Sequence, residues 1–157
     1  MLKVLIAEDE FMIADALEEA LVANGYEVCG IARTVDQAVA LYELHKPDLA
    51  VLDVRLAGGR RGPEIVQQLK GAGKLGVLYA TGDDARTSTL TTADGVAAIA
   101  KPYLMVDVIR ALALVQEVMT TGTATGYTPS GFRLLVDRPK AAAPAAPMAS
   151  TFEQAMV

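Results

Sequence analysis

Five short apolar runs, at residues 4–7, 28–32, 49–52, 77–80 and 97–100, punctuate the first hundred residues. They have the length of buried strands rather than of helices. Between the first two, Ile13, Leu17, Ala20 and Leu21 recur at the spacing of one helix face, and Asn24–Gly25 supplies a stop, because glycine tolerates the left-handed cap conformation. A second helix opens at "TVDQ", where Thr34 can accept from the Gln37 amide while the Gln37 side chain reaches back. Its inner face reads Val35, Ala38, Val39 and Tyr42. A third helix follows "GGRRG", with Pro63 at its first position. A last one, after Pro102, carries Met105, Val108, Ile109, Leu112 and Val115 in one stripe. Between the fourth and fifth runs lies "ARTSTLTTADG", crowded with threonines whose branched side chains lose rotamer freedom in a helix. A short, mobile fourth helix is expected there.

Five strands alternating with five helices predict an α/β fold with a doubly wound parallel sheet, since parallel neighbours need crossover connections. In such sheets function gathers beyond the carboxyl ends of the strands. That rim collects Glu8 and Asp9 after the first strand, Asp53 after the third, Thr81 after the fourth and Lys101 after the fifth.

Composition narrows the class. The chain has 157 residues and is 52% hydrophobic, enough for one domain with a real core plus a tail. Its net charge of −5 argues against binding nucleic acid by phosphate neutralisation. Residues 1–119 carry −6 and residues 120–157 carry +1, so the acids belong to the folded part. One cysteine, Cys29, cannot make an internal disulfide, and no run of apolar residues is long enough to span a membrane. A soluble, cytoplasmic protein is expected.

Three converging carboxylates repel one another and lose hydration beside an apolar core. They suit a hard divalent cation, Mg²⁺ above all, which removes that repulsion. A carboxylate can also attack phosphorus to give an aspartyl phosphate. That reaction asks for charge stabilisation on three equatorial oxygens, and a cation, the Lys101 ammonium and the Thr81 hydroxyl can supply it. "VLIAEDE", "DLAVLDVRLAGG", "YATG" and "AKPY", in this order, resemble the receiver domain of bacterial two-component response regulators over residues 1–119.

The resemblance implies a flavodoxin-like receiver sheet of order 2-1-3-4-5. It implies Asp53 as phosphoacceptor, Glu8, Asp9 and Asp53 as Mg²⁺ ligands with the backbone carbonyl of Arg55, and Thr81 and Lys101 as phosphoryl contacts. Lys101–Pro102 would be cis. A sensor histidine kinase is the implied partner, with a downstream or phosphotransfer protein beyond it, and the chain a monomer or weak homodimer. It would be a signalling switch or phosphate sink that catalyses only its own phosphorylation and dephosphorylation.

Ala98 stands where the family usually has an aromatic switch residue, Ala57 replaces a common proline, and the "GGRRG" loop is one residue longer. "YATG" partly matches a single-domain subgroup with a Phe-Ala-Thr-Gly motif. With Ala98 leaving space, phosphorylation would order the threonine-rich segment through Thr81 and Lys101, an order–disorder switch. The rival reading is a receiver-like binding module that regulates a partner largely independently of phosphorylation. Enzymes of this architecture fit poorly. A dehalogenase-type phosphatase wants an aspartate where Arg55 stands, and a flavodoxin's phosphate would meet Glu8, Asp9 and Glu10.

Several other residues take plain roles. Glu10 reads as a first-turn helix acid and His45 as a helix C-terminal cation. Cys29 reads as a small core residue, and Arg60–Arg61 as loop charge or an acidic partner's contact. Residues 120–157 are too few for an ordinary winged-helix output domain. "RPKAAAPAAP" reads as a semi-extended linker and "STFE" as a possible capping box at Ser150 and Glu153. Phe132, Leu134, Leu135 and Val136 are too apolar to stay in water. Residues 131–136 would dock on the receiver's own helix face or add a strand to a partner.

Overall fold

The computed structural model describes residues 1–69, 71–82 and 89–137. The strands are β1 (Lys3–Ala7), β2 (Glu27–Ala32), β3 (Leu49–Asp53), β4 (Gly76–Thr81), β5 (Ala97–Ala100) and β6 (Phe132–Leu134). Four α-helices are described: α1 (Phe11–Ala23), α2 (Val35–His45), α3 (Pro63–Gln68) and α4 (Met105–Thr121). One sheet runs β2-β1-β3-β4-β5-β6, with the first five strands parallel and β6 antiparallel to β5. The fold is α/β, doubly wound and flavodoxin-like, as expected, with one strand more.

Alternation along the strands divides the core. Val4, Ile6, Val51, Leu78 and Ile99 meet Leu17 and Leu21 of α1 and Val108, Leu112 and Val115 of α4. Leu5, Ala7, Leu52, Val77, Tyr79 and Ala98 face the other way, against Val35, Ala38 and Tyr42 of α2 and Ile65 of α3. Successive strand residues point to opposite faces, so a run apolar throughout is the signature of a strand covered on both sides.

The helix ends follow the sequence closely. Thr34 Oγ1 accepts from Gln37 N at 3.1 Å, and Gln37 Oε1 accepts from the amide of Arg33, one residue earlier than a standard box, at 2.8 Å. Glu10 precedes α1 as its N-cap, not inside the first turn, and its side chain makes no cap bond. Cys29 falls at a register shift between β1 and β2, half-buried, its Sγ 3.4 Å from the Val4 carbonyl oxygen.

Two expectations change. Residues 83–88 of the expected fourth helix lie outside the described residues. Over 89–95 the chain is a turn instead: Asp94 Oδ2 accepts from Thr91 N at 2.8 Å while Asp94 N donates back to the Thr91 carbonyl at 2.8 Å. Such local side-chain bonds compete with helix. The apolar tail segment adds β6 to its own sheet rather than to a partner, covering the edge that β5 would otherwise leave unpaired. The linker and the Ser150–Glu153 box lie outside the described residues.

Candidate functional site

The acidic rim assembles from strand ends. Glu8 leaves β1 still in register, its amide donating to the Ala32 carbonyl at 2.9 Å, and its side chain is 2% exposed. Glu8, Asp9 and Asp53 bring carboxylate oxygens within 4.8 Å of one another. Lys101 Nζ lies between two of them, 2.9 Å from Glu8 Oε2 and 3.1 Å from Asp53 Oδ2. Asp53 Oδ1 accepts from the Arg55 amide at 3.1 Å, and Glu8 Oε1 from the Glu10 amide at 3.2 Å. Thr81, buried at the end of β4, accepts through its carbonyl from Lys101 N at 2.8 Å. The Lys101–Pro102 bond is cis.

Above these groups is an open cavity of about 490 Å³, lined by Asp9, Glu10, Asp53, Arg55, Thr81, Gly82 and Lys101. Every residue singled out for the site except Glu8 borders this pocket, and Glu8 is buried and joined to it through the Lys101 ammonium.

Burial pushes the Glu8 carboxyl up to about 7, against the pull of its Lys101 hydrogen bond and with the Asp53 charge adding to the rise. Burial alone would lower Lys101, but the Glu8 hydrogen bond and the charge of Asp53 outweigh it, so the ammonium stays protonated. One ammonium among three carboxylates leaves an excess of negative charge on an all-oxygen donor set. That is the chemistry a Mg²⁺-sized cation takes, with water completing its shell. The residues fit that ion.

One positioning residue escaped the sequence. Gly62 sits so close to β3 that a Cβ there would overlap the Asp53 carbonyl oxygen, and its amide donates to the Val54 carbonyl at 2.9 Å. In the sequence it is one of three glycines in a loop. Only its place immediately before Pro63 sets it apart.

This sheet order, with carboxylates and a lysine at the carboxyl ends of β1, β3 and β5, is the arrangement of a receiver-type signalling domain rather than of a nucleotide-binding one. The response regulator receiver domain model matches residues 4–113, and the chain belongs to that family, whose members bind Mg²⁺ at an acidic pocket and act in two-component signal transduction. Among its relatives, it is 37% identical over 114 residues to the transcriptional regulatory protein PdtaR of Mycobacterium tuberculosis, covering 71% of this chain and 55% of that protein. It is 34% identical over 102 residues to the phyllosphere-induced regulator PhyR of Methylorubrum extorquens, covering 64% of this chain and 38% of that one. The crystal structure of the response regulator PhyR from Brucella abortus superposes with a TM-score of 0.61 at 31% identity, over 77% of this chain and 52% of that one. The chain thus spans about half or less of the length of these relatives.

Proposed function

We propose that this chain is a stand-alone response regulator that accepts a phosphoryl group from a sensor histidine kinase on Asp53, in a Mg²⁺-dependent reaction. The observation that carries this reading is the Lys101 ammonium held between Glu8 and Asp53 under a cavity open to solvent. An Asp53 carboxylate oxygen attacks phosphorus, forming the O–P bond as the P–N bond to the donor histidine breaks and its electron pair leaves with the imidazole. Lys101 turns from Asp53 to an incoming phosphoryl oxygen, and the Thr81 hydroxyl donates to another. Bound Mg²⁺ would be held by Glu8, Asp9, Asp53 and the Arg55 carbonyl, and would neutralise charge on the third oxygen.

A docking face for the donor adjoins the pocket. Phe11, Met12, Leu104 and Val106 are 76%, 83%, 67% and 68% exposed. Ile13, Pro102, Tyr103 and Met105 line an apolar cavity of about 380 Å³ that reaches Lys101. A helical kinase or phosphotransfer domain presenting its histidine over Asp53 would cover this patch. The protein then acts in the cytoplasm, through protein contact or as a phosphate sink. Among the described residues, no helix is long and apolar enough to cross a membrane.

Incubation with acetyl phosphate and Mg²⁺ followed by intact-mass measurement tests the chemistry. One phosphoryl adduct is expected on the wild type and none on Asp53→Ala. Ala98, small where a moving aromatic would sit, favours the second reading, a binding module indifferent to phosphate. A folded wild type that takes no adduct, from acetyl phosphate or from a phosphorylated kinase, would select that reading.

A further inference from the structure

The last described segment runs antiparallel along the whole stretch leading to Lys101. Ala100 N donates to the Gly131 carbonyl at 3.1 Å, Leu135 N to the Val96 carbonyl at 2.9 Å, and Thr92 N to the Val136 carbonyl at 3.2 Å. Between them Ala98 faces Arg133 across the ladder. The Asp137 carboxylate accepts from the Thr92 hydroxyl. Leu135, 6% exposed, joins the buried core cluster that also holds Tyr79, Leu90 and Ala98.

The docking is nevertheless imperfect. Among the described residues, the buried Arg133 Nη2 has no hydrogen-bond partner, a desolvation cost borne only while the segment is docked. Leu134 and Val136 remain 41% and 66% exposed on its outer side. The connection itself is held: Arg110 donates to the carbonyls of Tyr127 and Thr125, at 2.9 and 3.0 Å, pinning 125–127 against α4. A segment that lets go therefore stays tethered, at an effective concentration on the order of millimolar.

We infer that residues 131–137 are a releasable strap, and that the β5 edge beneath them is where this chain binds a partner's extended segment by strand addition. The strap itself gives the partner's pattern. The residue opposite Ala100 must be glycine, because a side chain at Gly131 would press on Ala100 and its φ is +77°. An aromatic follows opposite Ile99, and a leucine three residues later fills the place of Leu135. A partner wins by replacing Arg133 with a residue that leaves no buried N–H unpaired, or by adding contacts to Leu134 and Val136. The inference rests on the reading of this protein as a regulator acting through protein contact, but its test needs no phosphoryl group. Failure of phosphorylation and failure of the strap are thus separately visible.

Amide exchange and peptide binding on the full chain decide it. The probe is a fluorescent peptide of residues 129–137. Arg133→Met, which keeps the stem and removes the orphaned N–H, is expected to slow exchange at Ala100 and Leu135 several-fold. Gly131→Val and Leu135→Asp are expected to speed exchange there without changing that of Val51 in β3. Either opened variant should bind the peptide saturably, at least tenfold more tightly than the wild type. Faster exchange in Arg133→Met would overturn the release argument. Two opened variants that keep the native circular dichroism yet bind no peptide would overturn the docking edge.

Discussion

Tyr79 shows how one side chain can do the work of several. It is fully buried on β4, its ring lies beside Gly62 and Gly95, and its hydroxyl donates to the Asp94 carbonyl at 2.8 Å. The ring thus spans from the loop that touches Asp53 to the turn that the strap ties down. Burial holds its phenol far above the usual tyrosine range, with the nearby Asp94 charge adding to the effect. The sign follows directly: the unfolded chain loses this proton near pH 10 while the native state keeps it, so stability is complete below pH 10 and falls as pH rises further. Tyr79→Phe should cost about 1 kcal/mol at pH 7 through the lost hydrogen bond. Above pH 10 its stability should fall less steeply than the wild type's, by ~1.4 kcal/mol per pH unit. Urea unfolding at pH 7 and at two points above pH 10 measures both; parallel pH profiles would contradict the assignment.

At the scale of elements, the approach of α3 to β3 sets the backbone of Asp53. Gly62→Ala should cost ~1–3 kcal/mol by forcing the helix start away from the Asp53 carbonyl. It should also slow adduct formation from acetyl phosphate at least tenfold, because the attacking carboxylate turns with its backbone. A variant destabilised but equally reactive would leave Gly62 a packing residue. Much at this scale was readable beforehand. The run at 97–100 is β5 as it stands, and the other four parallel strands gain only one or two flanking residues, because apolar runs this short, bounded by polar or turn residues, have the length of strands and not of helices. Thr34, Gly25 and Pro63 act at helix ends through local chemistry that needs no tertiary information. The grouping of Glu8, Asp9, Asp53 and Lys101 was legible because strand order carries strand ends to one rim. What escaped depends on distant partners. Asp94 folding back on Thr91, Gly62 touching β3, and the choice of β5's edge by Phe132–Leu134 are all decided by what happens to lie across the gap.

For the whole molecule, the acidic rim is a local liability that a bound cation would convert into stability. Mg²⁺ at a hundred times its dissociation constant should add about 2.7 kcal/mol, seen as a rise of several degrees in the thermal midpoint. Asp9→Asn, which removes one of the three clustered carboxylates, should abolish most of that increment while leaving the metal-free midpoint within a degree or two. An equal rise in the variant would place the ion elsewhere. The order of the sheet bears on how the chain is made. After β1 and β2, every later strand joins the same side in turn, β3, β4, β5 and then β6. A chain emerging from the ribosome can thus build outward without rearranging what is already paired. Until residue 137 has emerged, β5 is the bare, growing margin. During synthesis, therefore, this margin is open to a neighbouring nascent chain's extended segment before the protein's own last strand can close it.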